Sequence, residues 1–434
     1  MLEESNDIEV SGKHRWLSLT PLLVFLLVYV LTSAIADDFY AIPVSSAFLV
    51  SCIYAIAVAN GQLSERIRAF SKGAGNPDIM LMIWIFILAG AFAGTAKSIG
   101  SVDATVSLML SIIPPGIILA GLFVTACLIS MAMGTSVGTI VALVPIGASI
   151  AGQCGISQPY MAALIVGGAF FGDNLSFISD TTIAATQAAG CEMADKFRAN
   201  IIIVFPAFIA VTLIYIFKGH GMEYTGNMAR AVNPVLVFPY LLVIVLALMR
   251  FNVTLVLAVG VIVNALIGLM TGSYGWTGWM ISAGEGIAGM SDLIIVTLLA
   301  GGLLETIRRG GGLELIIETL TKHIRGRRGA QAAIACLVSL ANVCTANNTI
   351  AIITTGRIAR DVAQRFGVSA RKTASLMDTF SCLVQSMIPY GAQLLMAAGL
   401  ASVPSSSIIP YLYYPFLMGL CAVASIVFST SRTN

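Results

Sequence analysis

The sequence predicts an all-α polytopic membrane protein made of two inverted-topology repeats, with about ten spanning helices, two re-entrant hairpins and two interrupted helices. Three observations lead there: apolar runs of spanning length with little charge between them, an internal repeat at a nearly fixed offset, and basic residues that fall on one side of a consistent topology.

Charged residues make up 10% of the 434 and hydrophobic ones 58%, whereas soluble domains carry about 25% charged residues. Mean hydropathy is +0.92. Apolar runs recur from Leu17 to Phe428, each near the ~20 residues that cross hydrocarbon, and no segment between them is long enough for a soluble domain. The function therefore sits within the membrane, with membrane lipid as a partner. The net charge of +2 follows topology and gives no reason to expect nucleic acid. Glu3, Glu4, Asp7 and Glu9 precede Lys13 and Arg15 with no small-residue cleavage site after the first apolar run, so residues 1–16 read as a cytoplasmic segment and the first helix as retained. Eight cysteines are scattered without a CxxC pair, and Cys52, Cys127, Cys336, Cys382 and Cys421 lie in apolar runs as packing residues. No cofactor is expected.

Leu88-Ala89-Gly90 recurs as Leu299-Ala300-Gly301, and at the same offset of 211 Thr95, Lys97 and Gly100 meet Thr306, Arg308 and Gly311. Gly155-Ile156-Ser157 matches Gly367-Val368-Ser369 at 212. The repeats are placed at 17–220 and 232–434, joined by an external linker at 221–231. In the first, spans are expected at about 17–36, 42–60 and 79–98, then a broken apolar pair at 112–153, an interrupted helix at 158–190 and a span at 199–217. In the second they fall at about 232–249, 252–270, 292–307, 330–358, 371–401 and 407–428, with 308–329 too polar to span and laid along the membrane surface.

If each broken pair enters and leaves on one side, each half crosses five times, and an odd number inverts the second half. Charge supports this. With both termini inside, twenty of the 23 basic residues fall on the cytoplasmic side, Lys196 among them, and only Lys97, Lys218 and Arg230 fall outside. Had the pairs crossed fully, the Arg357 to Lys372 and Lys322 to Arg328 clusters would lie on opposite faces. A multi-pass protein of the inner (cytoplasmic) membrane is expected.

The four interruptions are where such a fold builds its site. The hairpin tips are Gly134-Thr135-Ser136-Val137-Gly138-Thr139 and Thr345-Ala346-Asn347-Asn348-Thr349; the helix breaks are Gly172-Asp173-Asn174-Leu175-Ser176-Phe177-Ile178-Ser179-Asp180-Thr181-Thr182 and Gln385-Ser386-Met387-Ile388-Pro389-Tyr390-Gly391. A charge at mid-bilayer costs roughly 2.5–3.5 kcal/mol on insertion scales, so two carboxylates in the first break need a reason to be there. Gly172 and the Ser, Thr and Asn content disfavour a continuous helix and free backbone carbonyls beside side-chain oxygens, a hard site suited to a small cation. Asp173 and Asp180 are the leading candidates for sodium and protons, with Asn174, Ser176, Ser179, Thr181 and Thr182 beside them; Asp180 has the competing role of capping the following half-helix. Asp378, eight residues into its helix, should face a cavity or a basic partner. Thr135, Ser136, Asn347, Asn348 and Thr349 offer neutral oxygens at the tips, and Gln385, Ser386 and Pro389 form the second break, where the 212 offset sets Gln385 against Asp173 and Pro389 against Phe177. Any of these polar groups also serves to satisfy backbone at a break. Glu305 beside Arg308 and Arg309 reads as an interfacial salt bridge, Lys97 as a snorkelling anchor, and His14, His220 and His323 as solvated residues.

The first break resembles the signature of the NhaC-type sodium/proton antiporters of the ion transporter superfamily, which is similar to G-D-K-M-S-P-L-S-D-T-T. This chain keeps the Gly, both Asp, both Ser and both Thr, but has Asn174 for Lys and Phe177 for Pro. Gly134-Thr135-Ser136 resembles that family's G-T-S, and Asp378-Thr379 through Ile388-Pro389-Tyr390 its second-half segment, so the resemblance spans most of the chain. It implies a secondary transporter exchanging sodium for protons, with sodium held at Asp173 and Asp180. Losing the motif Lys removes a positive charge that could pair with a carboxylate. Members of the superfamily also carry organic acids and amino acids, so the alternative is a sodium- or proton-coupled carrier of such a solute, with Asn174, Asn347 and Asn348 as polar contacts. Inverted transporters are often homodimers, and by that analogy a homodimer is the expected assembly. An intramembrane aspartyl protease also needs two buried Asp, but those enzymes resemble G-x-G-D and here Phe170-Phe171-Gly172 precedes Asp173. The chain is not read as an enzyme.

Overall fold

The computed structural model describes residues 12–35, 43–112, 114–176, 179–220, 233–249, 251–321 and 324–428. Phe177, the linker 221–231, Lys322, His323, Arg230, Arg250, Arg432 and residues 1–11 of the N-terminal segment lie outside the described residues, as do the side chains of Lys13 and His14. Among the described residues all regular structure is helical. The first half contains α1 Gly12–Leu17, α2 Thr20–Ile35, α3 Val44–Val58, α4 Leu63–Ala74, α5 Pro77–Ser98, α6 Ser101–Ile112, α7 Ile118–Met133, α8 Ser136–Cys154, α9 Gln158–Leu175, α10 Asp180–Ala189 and α11 Met193–Gly219. The second contains α12 Pro234–Leu248, α13 Val253–Thr271, α14 Trp276–Ala288, α15 Ser291–Arg309, α16 Gly312–Thr321, α17 Gly326–Thr345, α18 Asn348–Arg365, α19 Ala370–Gln385, α20 Ala392–Ala401, α21 Ser405–Ile408 and α22 Tyr413–Val427.

From α2 to α10, each helix has a counterpart that starts 208–214 residues later, from α12 to α20. Two of these pairs carry elements that hydropathy alone did not assign to spans: α4 with α14 and α6 with α16. The polar stretch 308–329 is thus partly helical, and within it Glu318 on α16 pairs with Arg15 on α1 at 2.9 Å. A second difference matters more for the site. Helix α11 opens at Met193, well before the apolar run that begins near 199, because Asp195, Lys196 and Arg198 are helical too.

Each half turns at the same places by the same devices. Helix α7 stops at Gly134 in the left-handed region (φ 72°), and Thr135 then caps α8 by accepting from the Gly138 N–H. Its counterpart α17 stops at Ala346, also left-handed (φ 49°), and Asn347 caps α18 by accepting from the Ile350 N–H at 3.0 Å. Helix α9 ends at Leu175, Ser176 is extended, and Ser179 caps α10 through the Thr182 N–H. Helix α19 ends at Gln385, and α20 begins after the extended Gly391; Pro389 lies in the connection, half-buried.

Among the described residues, five stretches are long and apolar enough to cross a membrane, namely α5, α8, α11, α13 and the stretch containing α9 and α10. Among the described residues, α14 with α15 and α20 with Ser405–Tyr411 pass as bent pairs, the latter at 96°, and five shorter apolar helices accompany them. Helix α19 falls outside this set for a physical reason: Thr373 to Cys382 and Gln385 are all buried against protein, so it needs no apolar surface of its own.

By contacts the chain forms two compact units, Met1–Met80 with Ile295–His323, and Leu81–Ile294 with Ile324–Asn434. Each draws on both sequence halves, so the repeat is a regularity of element order rather than of these units. In the first unit α3 bonds α15 through Cys52 Sγ and Leu299 O, and Glu305 pairs with Arg308 at 2.8 Å and Arg309 at 3.6 Å. The second holds the four interruptions. Cys52, Cys127 and Cys382 are buried packing residues, whereas Cys336 is exposed on α17, contrary to the sequence expectation.

Lipid supplies no hydrophobic drive between helices, so close packing of small residues must hold them. In the second unit Gly172 on α9 meets Ser130 on α7 so closely that an added Cβ would collide with its backbone and side chain. The Ser130 hydroxyl also donates to the Ala169 carbonyl. Gly172→Ala should destabilise the folded protein by about 1–3 kcal/mol through overpacking, read as a lowered melting temperature in detergent; an unchanged melt would contradict this contact.

Candidate functional site

The four interruptions converge in the second unit. Asp173 sits in the last turn of α9, buried, and its Oδ1 accepts from the Ser136 N–H at 3.0 Å, at the tip where α8 begins. Its counterpart Gln385 makes the matching contact with reversed polarity: its amide donates to Ala346 O of the other tip at 3.0 Å. Gln385 also donates to Gln393 Oε1 at 2.9 Å, and Gln393 in turn donates to Ser136 Oγ at 3.2 Å. A continuous chain therefore runs from one tip through the second break to the other tip and Asp173. Gln385 Oε1 is buried without a hydrogen-bond partner.

Asp378 lies mid-helix on α19, fully buried. Its Oδ2 pairs with Lys196 Nζ at 2.7 Å and accepts from Asn200 Nδ2 at 2.8 Å. Lys196, which sequence placed among the cytoplasmic charges, is thus a buried residue of the site, 1% exposed. The early start of α11 carries it and Asn200 one turn apart onto the face that meets α9 and α19. The same Nζ donates to Asn174 O at 2.7 Å and to Thr182 Oγ1 at 2.6 Å. Among the described residues Asp173, Asp378 and Lys196 are the charged side chains that are buried.

Ending α9 at Leu175 frees backbone carbonyls, and the motif's polar side chains are largely occupied in answering them. Ser179 Oγ lies 2.9 Å from Asp173 O, with Thr181 Oγ1 at 3.5 Å from the same oxygen. Thr182 donates to Ser176 O at 2.8 Å, and Asn200 reaches Asn174 O at 3.1 Å. The Asn174 amide is buried against Phe170 O and Met418 Sδ, both at 3.3 Å. Ser176 closes α9 and is buried.

Asp180 does not join this cluster. It stands in the first turn of α10, where Ser179 rather than Asp180 is the cap, and its side chain is exposed. It lines an open pocket of about 370 Å³ between α10 and α18, with Gln187, Thr349 and Arg357 among the walls. Beyond the pocket Arg360 donates to Ala188 O and Gln187 O at 2.7 and 2.6 Å, holding the end of α10 to α18. Asn348 is buried, bonding the Thr349 N–H at 3.1 Å and lying 4.0 Å from Cys382 Sγ. Ser386 bonds within its own turn to Leu383 O. Sequence reasoning missed Lys196, Asn200 and Gln393. A Lys and an Asn four residues apart on a helix facing the motif was the available signal for the first two; for Gln393 the signal was a polar residue in an apolar half-helix.

A family model described as the Na+/H+ antiporter family matches residues 18–220 and 222–431. A malate-2H+/Na+-lactate antiporter of Bacillus subtilis (strain 168) is 24% identical over 79% of this chain and 80% of its own. The Na+/H+ antiporter NhaC of Alkalihalophilus pseudofirmus is 24% identical over 80% and 81%. The arginine/ornithine antiporter ArcD of Halobacterium salinarum is 24% identical over 81% and 78%.

The buried ion pair makes a stability prediction. Asp378→Asn leaves the Lys196 ammonium enclosed without its counter-charge and should cost about 3–5 kcal/mol, whereas adding Lys196→Gln to it should recover most of that loss. A double-mutant cycle of denaturation in detergent measures this; additive losses would show that the two side chains do not act as a pair.

Proposed function

The chain belongs to the Na+/H+ antiporter family, and on that premise we propose that it exchanges sodium for protons by alternating access, the two cations competing for the enclosed acids Asp173 and Asp378. The observation that carries this reading is the charge count of the buried cluster: two carboxylates against one ammonium. With both acids ionised the cluster holds one uncompensated negative charge, which a low-dielectric site tolerates poorly. One sodium ion or one proton removes it, and either excludes the other. A protein that changes its access only with the charge neutralised then couples the two fluxes.

Asp173 is the better candidate for the acid that takes the exchanged proton, because Asp378 already has Lys196 and Asn200, while Asp173 has the neutral N–H of Ser136. The tip-to-tip chain through Gln393 offers an element that both breaks bias, as a rearranging site requires. Asp180 and Arg357 in the open pocket fit the mouth of an entry path. By the positive-inside bias we place both termini in the cytoplasm and the protein in the inner membrane, with the homodimer as an analogy alone.

One observation favours a second reading. The pocket is large for a bare ion, within the ~300–1,000 Å³ of small-molecule sites, and presents a carboxylate and a guanidinium together. A sodium- or proton-coupled carrier of an organic acid or amino acid would use it, and relatives with malate, lactate, arginine and ornithine in their names share about four fifths of the chain.

Proteoliposomes without organic solute separate the two. Sodium-driven proton movement supports exchange, and its appearance only on adding an organic solute supports the second reading. Asp173→Asn should abolish transport under both, and normal turnover in that variant would overturn both. Asp180→Asn should retain exchange with a raised sodium KM, as for a residue on the entry path.

A further inference from the structure

We propose that Lys196 is a tethered competitor of the transported cation: its ammonium fills the oxygen cage that sodium enters, and the swap between the two sets affinity and release. This rests on the sodium-for-proton reading of the same site. Nζ has three protons and meets three oxygens, Asp378 Oδ2 at 2.7 Å, Asn174 O at 2.7 Å and Thr182 Oγ1 at 2.6 Å. The three oxygens come from α19, from the end of α9 and from α10, so the cage exists only where the first break meets the second half's interrupted helix. A carboxylate, a freed carbonyl and a hydroxyl are hard ligands that serve a dehydrated alkali cation as well as an ammonium.

Two cations cannot share so small a cage, because like charges a few ångströms apart in a dry site repel strongly. A bound sodium therefore needs Lys196 to leave, and a returning Lys196 helps sodium to leave. The long flexible stem permits the movement without displacing α11. The other titratable groups around the cage include Asp173 on α9, Tyr414 on α22 and Cys382 on α19, whose Sγ lies 4.0 Å from Asp378 Oδ1. Position 174, where the sequence has Asn in place of the Lys of the resembling motif, contributes the carbonyl that receives the Lys196 ammonium. The positive charge thus reaches this spot from α11, and the two positions should be interchangeable as its source.

The test uses the full-length protein with Lys196→Gln and with the exchanged pair Lys196→Asn/Asn174→Lys. Sodium KM and turnover are measured in proteoliposomes, and melting in detergent is compared in sodium chloride and choline chloride. For Lys196→Gln the expected result is a sodium KM lowered roughly 5–150-fold, the usual range for coupled sites, with turnover lowered as release slows, and a melting temperature raised by sodium but not by choline. The exchanged pair should return KM to the wild-type range. A folded Lys196→Gln with unchanged or raised KM and no sodium-specific melting shift would overturn the proposal, since a merely structural lysine moves neither. If Lys196→Gln does not fold, the exchanged pair decides, and a folded but inactive exchanged pair counts against the proposal. If the wild type moves no protons in response to sodium, the exchange reading fails by itself, and sodium-specific stabilisation of Lys196→Gln still decides whether the cage accepts the ion.

Discussion

A charge removed from water must be neutralised or leave, and in this protein that constraint reaches from the site into the fold. The Lys196–Asp378 pair at 2.7 Å is the buried answer to it. Because the same ammonium also bonds Asn174 O and Thr182 Oγ1, one side chain ties α11 to α19, to the end of α9 and to the start of α10. The desolvation cost of such a pair means that it adds little net stability. What it supplies is a fixed meeting point for helices that packing alone would leave free to slide. Asp173 is the member without a charged partner, and that asymmetry gives the site its unbalanced charge.

The repeated scaffold makes the asymmetry easier to see. Both tips turn through a left-handed residue and are capped by the next side chain, Thr135 in one and Asn347 in the other. At the two breaks the same position faces its tip, but Asp173 accepts a backbone N–H where Gln385 donates to a backbone carbonyl. One substitution between equivalent positions converts a structural contact into a titratable one. Gln393 then links the two, so that neither tip is independent of the other break.

Much of this was legible in the sequence. Helix breaks declare themselves where Gly, Ser, Thr and Asn crowd into an apolar run, as at the two tips and the first break, and the repeat offset points to the second, where α19 ends at Gln385. Asp378 was legible because a carboxylate mid-helix in a membrane has few explanations. Asp180 was grouped with Asp173 as an acid of the same break, but α9 ends at Leu175, α10 begins at Asp180, and the second acid lines an open pocket. Lys196 was misread because its neighbours Asp195 and Arg198 are charged, and a topology rule that counts basic residues cannot tell a solvated lysine from one that reaches inward. The amphipathic helices α4, α6, α14 and α16 escaped a reading tuned to long apolar runs.

On this reading the buried cluster holds one cation, sodium or a proton, at a time. Calorimetric titration of the purified protein with sodium, repeated in buffers of different ionisation enthalpy and across pH, tests it most directly by counting the protons released on binding. About one proton should be released per sodium bound where the site is protonated, with sodium affinity falling as pH falls. Sodium binding with no proton release and no dependence on pH would contradict it.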